Sequence, residues 1–134
     1  MLNQIAHIAI VVSSFNKIDK WRTLFGVDLI EEEYTSNEQL VDVIILKTGN
    51  IVLEFLKPTS PKSPVYNFLQ KNKMGGIHHI CFEIEDLESS LKTIKDKNIR
   101  KITKGQSQTG IEKSKICFLN PLDLNGVLVE LKEK

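Results

Sequence analysis

One pattern occurs twice in this chain, and it limits the fold more than any other feature. His7 opens the run HIAIVV and His79 opens HICFEI, while Glu54 lies in IVLEFL and Glu130 in VLVELK. The two histidines are 72 residues apart and the two glutamates 76. Near-equal separations of paired polar residues, each inside a β-branched apolar run, indicate an internal duplication with two units about a pseudo-twofold axis.

The segments between these anchors repeat in the same order. Ile5 to Val12 reads as a buried strand. Phe15 to Phe25 follows as a helix with Ile18, Trp21, Leu24 and Phe25 on its apolar face, stopped by Gly26. Three strands are expected next, over Asp28 to Tyr34, Leu40 to Leu46 and Ile51 to Leu56, with Gly49-Asn50 as a turn between the last two. Pro58 to Pro64 is a proline-rich linker, and Ser63-Pro64 signals an N-cap with proline at the first helical position. A short helix with Val65, Phe68 and Leu69 on one side ends before Gly75-Gly76. The second copy then begins: a strand over Ile77 to Ile84, a helix capped by Asp86 and running to about Asn98, and a short strand over Ile99 to Ile102. A polar loop over Gly105 to Gly110 leads to strands over Lys115 to Leu119 and Val127 to Leu131. The expected fold is α+β: one domain of residues 1–134, with module one over about 1–57, a linker helix over about 58–74 and module two over about 75–134. Each module is βαβββ, and the two form curved mixed sheets around one site.

Composition removes several function classes. The chain has 134 residues, 41% of them hydrophobic and 26% charged, enough for a real core. A net charge of +1 with interspersed lysines leaves no basic footprint for nucleic acid. Apolar runs fall well short of the ~20 residues a membrane span requires. Asn3 and Gln4 interrupt the start, so no signal peptide is read there. Cys81 and Cys117 sit inside apolar runs as buried thiols rather than a disulfide framework. A cytoplasmic protein is expected.

The repeated polar residues carry the chemistry. Strand residues alternate faces, so His7 points with Ala9 and Val11, and His79 with Cys81 and Glu83. Small Ala9 and Cys81 leave room for a cavity on that face. Glu54 and Glu130 are carboxylates within apolar strands, and a buried carboxylate needs a metal, a cation or a proton. A single strand histidine is ordinarily a hydrogen-bonded structural group, and a single strand glutamate ordinarily faces water. Four of them at repeat-equivalent positions point instead to one divalent metal held by His7, Glu54, His79 and Glu130. Two imidazoles and two carboxylates suit Zn, Co, Ni, Mn or Fe(II) and not Ca. His78 faces away from His79 and is expected to be no ligand.

These residues resemble the vicinal-oxygen-chelate (glyoxalase/bleomycin resistance/dioxygenase) superfamily, in which a His opens the first and fifth strands and a Glu or Gln closes the fourth and eighth. Within it, SPVYNFLQKNKMGGIHHICFEI (Ser63 to Ile84) and GVLVEL (Gly126 to Leu131) are similar to the methylmalonyl-CoA epimerase family. The resemblance implies a metal-dependent epimerase of the α-carbon of a coenzyme A thioester, with methylmalonyl-CoA as the expected substrate, through a metal-stabilised enolate. The partner implied is an acyl-CoA, and a homodimer is compatible with it. Glu130 is implied as one acid/base group. Asp42, at the point on the third strand where some epimerases carry a Glu, is implied as the other. The family often has His-Pro-Lys where this chain has Asn120-Pro121-Leu122, and Gly-Gly where it has Asn125-Gly126; these differences bear on coenzyme A recognition. Alternatives are a glyoxalase I-type lactoylglutathione lyase, a member acting on another carboxylate or thioester, an Fe(II) dioxygenase and a non-enzymatic small-molecule binding module.

Overall fold

A computed structural model describes residues 1–102 and 114–134. In chain order the elements are β1 (Leu2–Val11), α1 (Ile18–Phe25), β2 (Ile30–Ser36), β3 (Val41–Thr48), β4 (Ile51–Pro58), α2 (Tyr66–Lys71), β5 (Gly76–Ile84), α3 (Leu87–Asp96), β6 (Lys101–Ile102), β7 (Ile116–Leu119) and β8 (Val129–Glu133). The order βαβββ, short helix, βαβββ is the α+β architecture read from the repeat. The polar loop expected over Gly105 to Gly110 lies outside the described residues.

The chain divides into two compact units, one of His7–His78 and the other of Met1–Ala6 with His79–Lys134. The division falls inside β1, so the first residues of that strand count with the second half of the chain. Their side chains explain why: Asn3 Nδ2 donates to Glu85 Oε1 at 2.8 Å, and Gln4 Nε2 to Glu83 Oε1 at 3.5 Å.

In the unit His7–His78 the strand order is β2-β3-β4-β1. β1 and β4 run parallel, while β2, β3 and β4 are antiparallel neighbours. Val43 to Leu46 are all buried, so β3 is covered on both faces, and its unbroken apolar run reflects that. One face carries Ile10, Ile44, Leu46 and Phe55, which pack with Ile18, Trp21 and Phe25 around α1. Leu24 departs from the expected apolar stripe: it is 76% exposed, because at about 100° per residue it lies well to one side of the direction shared by Ile18, Trp21 and Phe25. The edge strand β2 presents Glu31, Glu32 and Glu33, charges that discourage further strand pairing. Arg22 clamps Glu31 with Nε–Oε1 2.6 Å and a second N–H at 2.7 Å, fastening α1 to this edge and holding the Glu31 carboxyl below the usual range.

The unit containing His79–Lys134 orders its later strands β5-β8-β7-β6, with β5 and β8 parallel and the others antiparallel. Its core is Ile84, Leu87, Ile94, Cys117, Leu119 and Leu131. Asp86 caps α3 as expected, accepting from the Ser89 N–H at 2.9 Å, and Glu133 Oε2 accepts from the Leu87 N–H at 2.9 Å. α3 stops at Asp96, two residues early, as Asn98 takes a left-handed φ of 61°. The linker helix also begins later than the cap signal suggests, at Tyr66. Ser63 is buried in the turn before it, its Oγ accepting from the Val65 N–H at 3.4 Å and donating to the Gln39 carbonyl at 3.3 Å.

Two glycines separate conformational strain from contact. Gly49 (φ 52°) turns between β3 and β4 with open space around it, whereas a Cβ on Gly75 (φ 80°) would sit 2.3 Å from the Val11 carbonyl oxygen. Backbone at that distance has no room to give. Gly75→Ala is expected to lower unfolding free energy by about 3 kcal/mol and Gly49→Ala by about 1 kcal/mol, read from urea denaturation. Equal effects would show that the Val11 contact contributes nothing.

Candidate metal centre

Each unit places one imidazole against one carboxylate, and each does so in the same register. In the first, parallel pairing sets Ala9 opposite Glu54 and antiparallel pairing sets Ile45 opposite Glu54. His7, two residues before Ala9, shares its face, and His7 Nδ1 lies 2.6 Å from Glu54 Oε2. In the second, Cys81 is opposite Glu130 across the parallel pair and Phe118 is opposite Glu130 across the antiparallel pair. His79, two residues before Cys81, has Nε2 3.2 Å from Glu130 Oε2, and its ring meets Phe118 edge to face at 5.2 Å. The sequence repeat is thus a repeat of register.

All four side chains are buried: His7 8%, Glu54 5%, His79 5% and Glu130 6% exposed. Removing one partner of such a buried pair leaves an uncompensated group, at a cost of about 3–5 kcal/mol for a charged pair. Buried carboxylate oxygens and imidazole nitrogens are the donors a divalent transition ion takes. Within each unit the buried pair therefore offers donors of the kind the pattern implies, His7 with Glu54 in one and His79 with Glu130 in the other.

The remaining residues singled out in the sequence fall elsewhere. His78 faces away from His79 and is half-buried, with its ring 5.2 Å from that of Phe68 on α2. Asp42 is not brought to Glu54. It pairs with Lys57 in the register that pairs Ile45 with Glu54, and Asp42 and Ile45 are three positions apart on β3, so the two carboxylates project from opposite faces. Its oxygens are engaged there by Thr35 Oγ1, donating at 2.7 Å, and by Lys57 Nζ at 3.4 Å. Asp42 lines an open cleft of about 650 Å³ with Phe15, Glu33, Tyr34, Thr35 and Lys57. This facing of Asp42 relative to Glu54 is one that an isolated strand sequence does not reveal.

The turn that differs from the epimerase pattern is built from its own residues. Asn120 Oδ1 accepts from the Leu122 N–H at 2.9 Å, Leu122 is exposed, and Asn125 and Gly126 take φ of 57° and 80°. Arg100 fastens this turn from outside, its backbone N–H and guanidinium all donating to Asp123 at 2.9–3.0 Å. Cys81 drew attention in the sequence only as a small side chain. Its place two residues after His79, on the same face, was the available signal that it belongs beside Glu130.

The comparisons agree with this geometry. Residues 6–118 match the model of the Glyoxalase/Bleomycin resistance protein/Dioxygenase superfamily. The chain is 37% identical over 134 residues to a mitochondrial methylmalonyl-CoA epimerase of Dictyostelium discoideum, covering 99% of this chain and 80% of that protein. It is 33% identical over 134 residues to an ethylmalonyl-CoA/methylmalonyl-CoA epimerase of Cereibacter sphaeroides, covering 99% of each. A solved Streptomyces coelicolor methylmalonyl-CoA epimerase, in complex with 2-nitronate-propionyl-CoA, superimposes with a TM-score of 0.84 at 31% identity, covering 100% of this chain and 99% of that one. With its duplicated His/Glu register and relatives spanning nearly its whole length, the chain belongs to the vicinal-oxygen-chelate (glyoxalase/bleomycin resistance protein/dioxygenase) superfamily and groups within it with the methylmalonyl-CoA epimerases.

Proposed function

We propose that this protein is a metal-dependent epimerase that inverts the α-carbon of a coenzyme A thioester, with methylmalonyl-CoA as substrate. The observation that carries the reading is the twice-built His–Glu pair, His7 with Glu54 and His79 with Glu130, buried and in identical register. Relatives of 33–37% identity bearing epimerase names support the substrate class, and one of them is named for ethylmalonyl-CoA as well. A pocket that accepts one extra methylene discriminates by only about 1–3 kcal/mol, so a neighbouring acyl chain is accepted at a reduced rate.

Both pairs contribute to one centre in this proposal. A divalent ion there, of the Co, Zn, Ni or Mn type, supplies Lewis acidity toward the thioester oxygen on which negative charge develops as the α-proton leaves. His7, Glu54, His79 and Glu130 hold it. Glu130 has the second role of taking the α-proton, its carboxylate oriented by His79. Two acid/base groups must flank the carbon, because a single one returns the proton to the face it left. Asp42, which faces Lys57 and Thr35, is the residue whose part as the second group the substitution below tests. Burial of the centre keeps bulk water from competing for the carbanion.

Among the described residues no helix is long and apolar enough to cross a membrane. Cys81 and Cys117 are buried and form no disulfide, which supports the reducing cell interior we propose for it. The homodimer also belongs to the proposal; exposed Leu2 and Ile5 on β1 are apolar surface that a second copy could cover, and sedimentation at graded concentration reads it.

The decisive experiment incubates metal-loaded protein with methylmalonyl-CoA in deuterated water and follows α-proton exchange together with inversion. Both are expected, and both are expected to vanish after chelation and return on adding a divalent ion. No exchange of this substrate, with turnover of the methylglyoxal–glutathione hemithioacetal instead, would overturn the epimerase reading in favour of a lyase.

Substitutions divide the roles. His7→Ala and His79→Ala should each lose bound metal and activity, whereas His78→Ala should keep its metal, measured by elemental analysis of purified protein. Full metal content in the His7→Ala/His79→Ala double variant sinks the ligand assignment. Glu130→Gln should slow epimerisation by about 10²–10⁴-fold, the usual contribution of a general base. Asp42→Asn should stay within about threefold of the parent, since general-base loss would be far larger; a drop of the Glu130 size would restore Asp42 to the reaction.

A further inference from the structure

Where the epimerase pattern often has Gly-Gly, this chain has Asn125-Gly126, its only asparagine followed by glycine. Such a pair carries its own chemistry. The backbone nitrogen after an asparagine can attack the side-chain carbonyl carbon; a C–N bond forms, the side-chain amide leaves as ammonia, and a five-membered succinimide results. Water then opens either carbonyl of the ring, leaving aspartate or isoaspartate, with no change in oxidation state. Glycine is the most permissive neighbour because no Cβ shields the attacking nitrogen.

The pair is open to water, and its geometry holds it short of reaction. Asn125 and Gly126 are both exposed, and a Cβ built on Gly126 would meet nothing within 4 Å. The nitrogen that would attack is engaged: the Gly126 N–H donates to the Pro121 carbonyl at 2.7 Å, and the same carbonyl accepts from the Leu124 N–H at 3.1 Å. Asn125 sits at φ 57°, in the left-handed region where ψ is roughly +30 to +60°. Ring closure requires the following peptide to rotate well away from that ψ, which breaks the Gly126 bond. The turn is clamped from outside by Arg100 on Asp123, through contacts exposed to solvent, and Leu122 at its tip is exposed. Segments held by exposed hydrogen bonds and little apolar burial open locally without global unfolding.

Two other asparagines provide the contrast. Asn98 shares the left-handed backbone, with φ 61°, but Ile99 follows it and its branched side chain shields the nitrogen. Asn120 is followed by Pro121, which has no N–H to lose.

We infer that Asn125 is a site of spontaneous deamidation whose rate is set by local opening of the turn over residues 120–127. Neither metal nor substrate enters this chemistry. Conversion adds a negative charge two residues from Asp123, and the isoaspartate product puts an extra methylene into the main chain just before β8, the strand of Glu130.

Peptide mapping by mass spectrometry tests this. The purified chain is held in mildly alkaline buffer, folded or in concentrated urea, and the peptide containing Asn125 is followed for the gain of mass that replaces amide by acid; isoaspartate-specific methylation identifies the second product. Conversion at Asn125 is expected in both states, slower in the folded chain by about tenfold or more, since only the open fraction reacts. Arg100→Ala and Asp123→Ala are expected to raise the folded rate by at least about threefold and leave the urea rate unchanged, because they loosen the clamp alone. Equal rates in the folded and urea states of the parent would overturn the gating, as would an unchanged folded rate in both clamp variants. No conversion in urea, or equal conversion at Asn98 there, would overturn the site itself. The parent in its two states decides the matter even where a clamp variant fails to fold.

Discussion

A carboxylate enclosed by a β-sheet must find a partner, and in this protein that requirement is met twice by an imidazole one strand away. Leaving such a carboxylate alone would cost several kcal/mol, a large share of the stability of any small domain. The parallel pairing of β1 with β4, and of β5 with β8, is what supplies the partner. It sets the residue two places beyond each histidine opposite the glutamate, at Ala9–Glu54 and Cys81–Glu130, so that imidazole and carboxylate meet diagonally on one face. A slip of one residue in either pairing would turn the glutamate to the other face and into the helix-covered core. The βαβ crossovers through α1 and α3 thus position the chemistry as well as complete the sheets.

The same alternation separates what is near in sequence. Glu54 and Lys57 lie on one strand, yet Lys57 turns to the opposite face, where it meets Asp42 and lies over the Phe15 ring at 5.3 Å. His78 and His79 are adjacent, and one meets Phe68 edge to face while the other meets Glu130. Exposed pairs such as Lys47 with Glu32 contribute at most about 1 kcal/mol each and serve chiefly to keep the edge strand charged. The buried pairs and the exposed ones follow one geometric rule, but the difference in solvation gives them different uses.

The duplication has not kept the two copies identical. Small Ala9 in the first copy is matched by Cys81 in the second. The first unit sandwiches β3 between two apolar faces, while the second uses short β6 and β7 strands and holds its final turn with the Arg100–Asp123 contacts.

Much of this was legible in the chain itself. The order βαβββ twice, the linker helix, the Asp86 cap and the four repeated ligand-type residues follow from periodicity and spacing, because strand and helix periods depend on local covalent geometry. The sequence also determined that His78 and His79 differ, since neighbours on a strand must. What it could not determine were relations across strands. Whether Asp42 shares a face with Glu54 depends on the β3–β4 register, and that depends on the length and geometry of the Gly49-Asn50 turn. Leu24 faces water because the sheet takes the stripe of Ile18, Trp21 and Phe25, and Leu24 lies to one side of it. The division of β1 between the two units follows from the partners Asn3 and Gln4 find 80 or so residues away, at Glu85 and Glu83. That Cys81 stands opposite Glu130 follows only from the pairing of β5 with β8. Local pattern names the residues that face a core; hydrogen-bonded register between distant strands decides which of them meet.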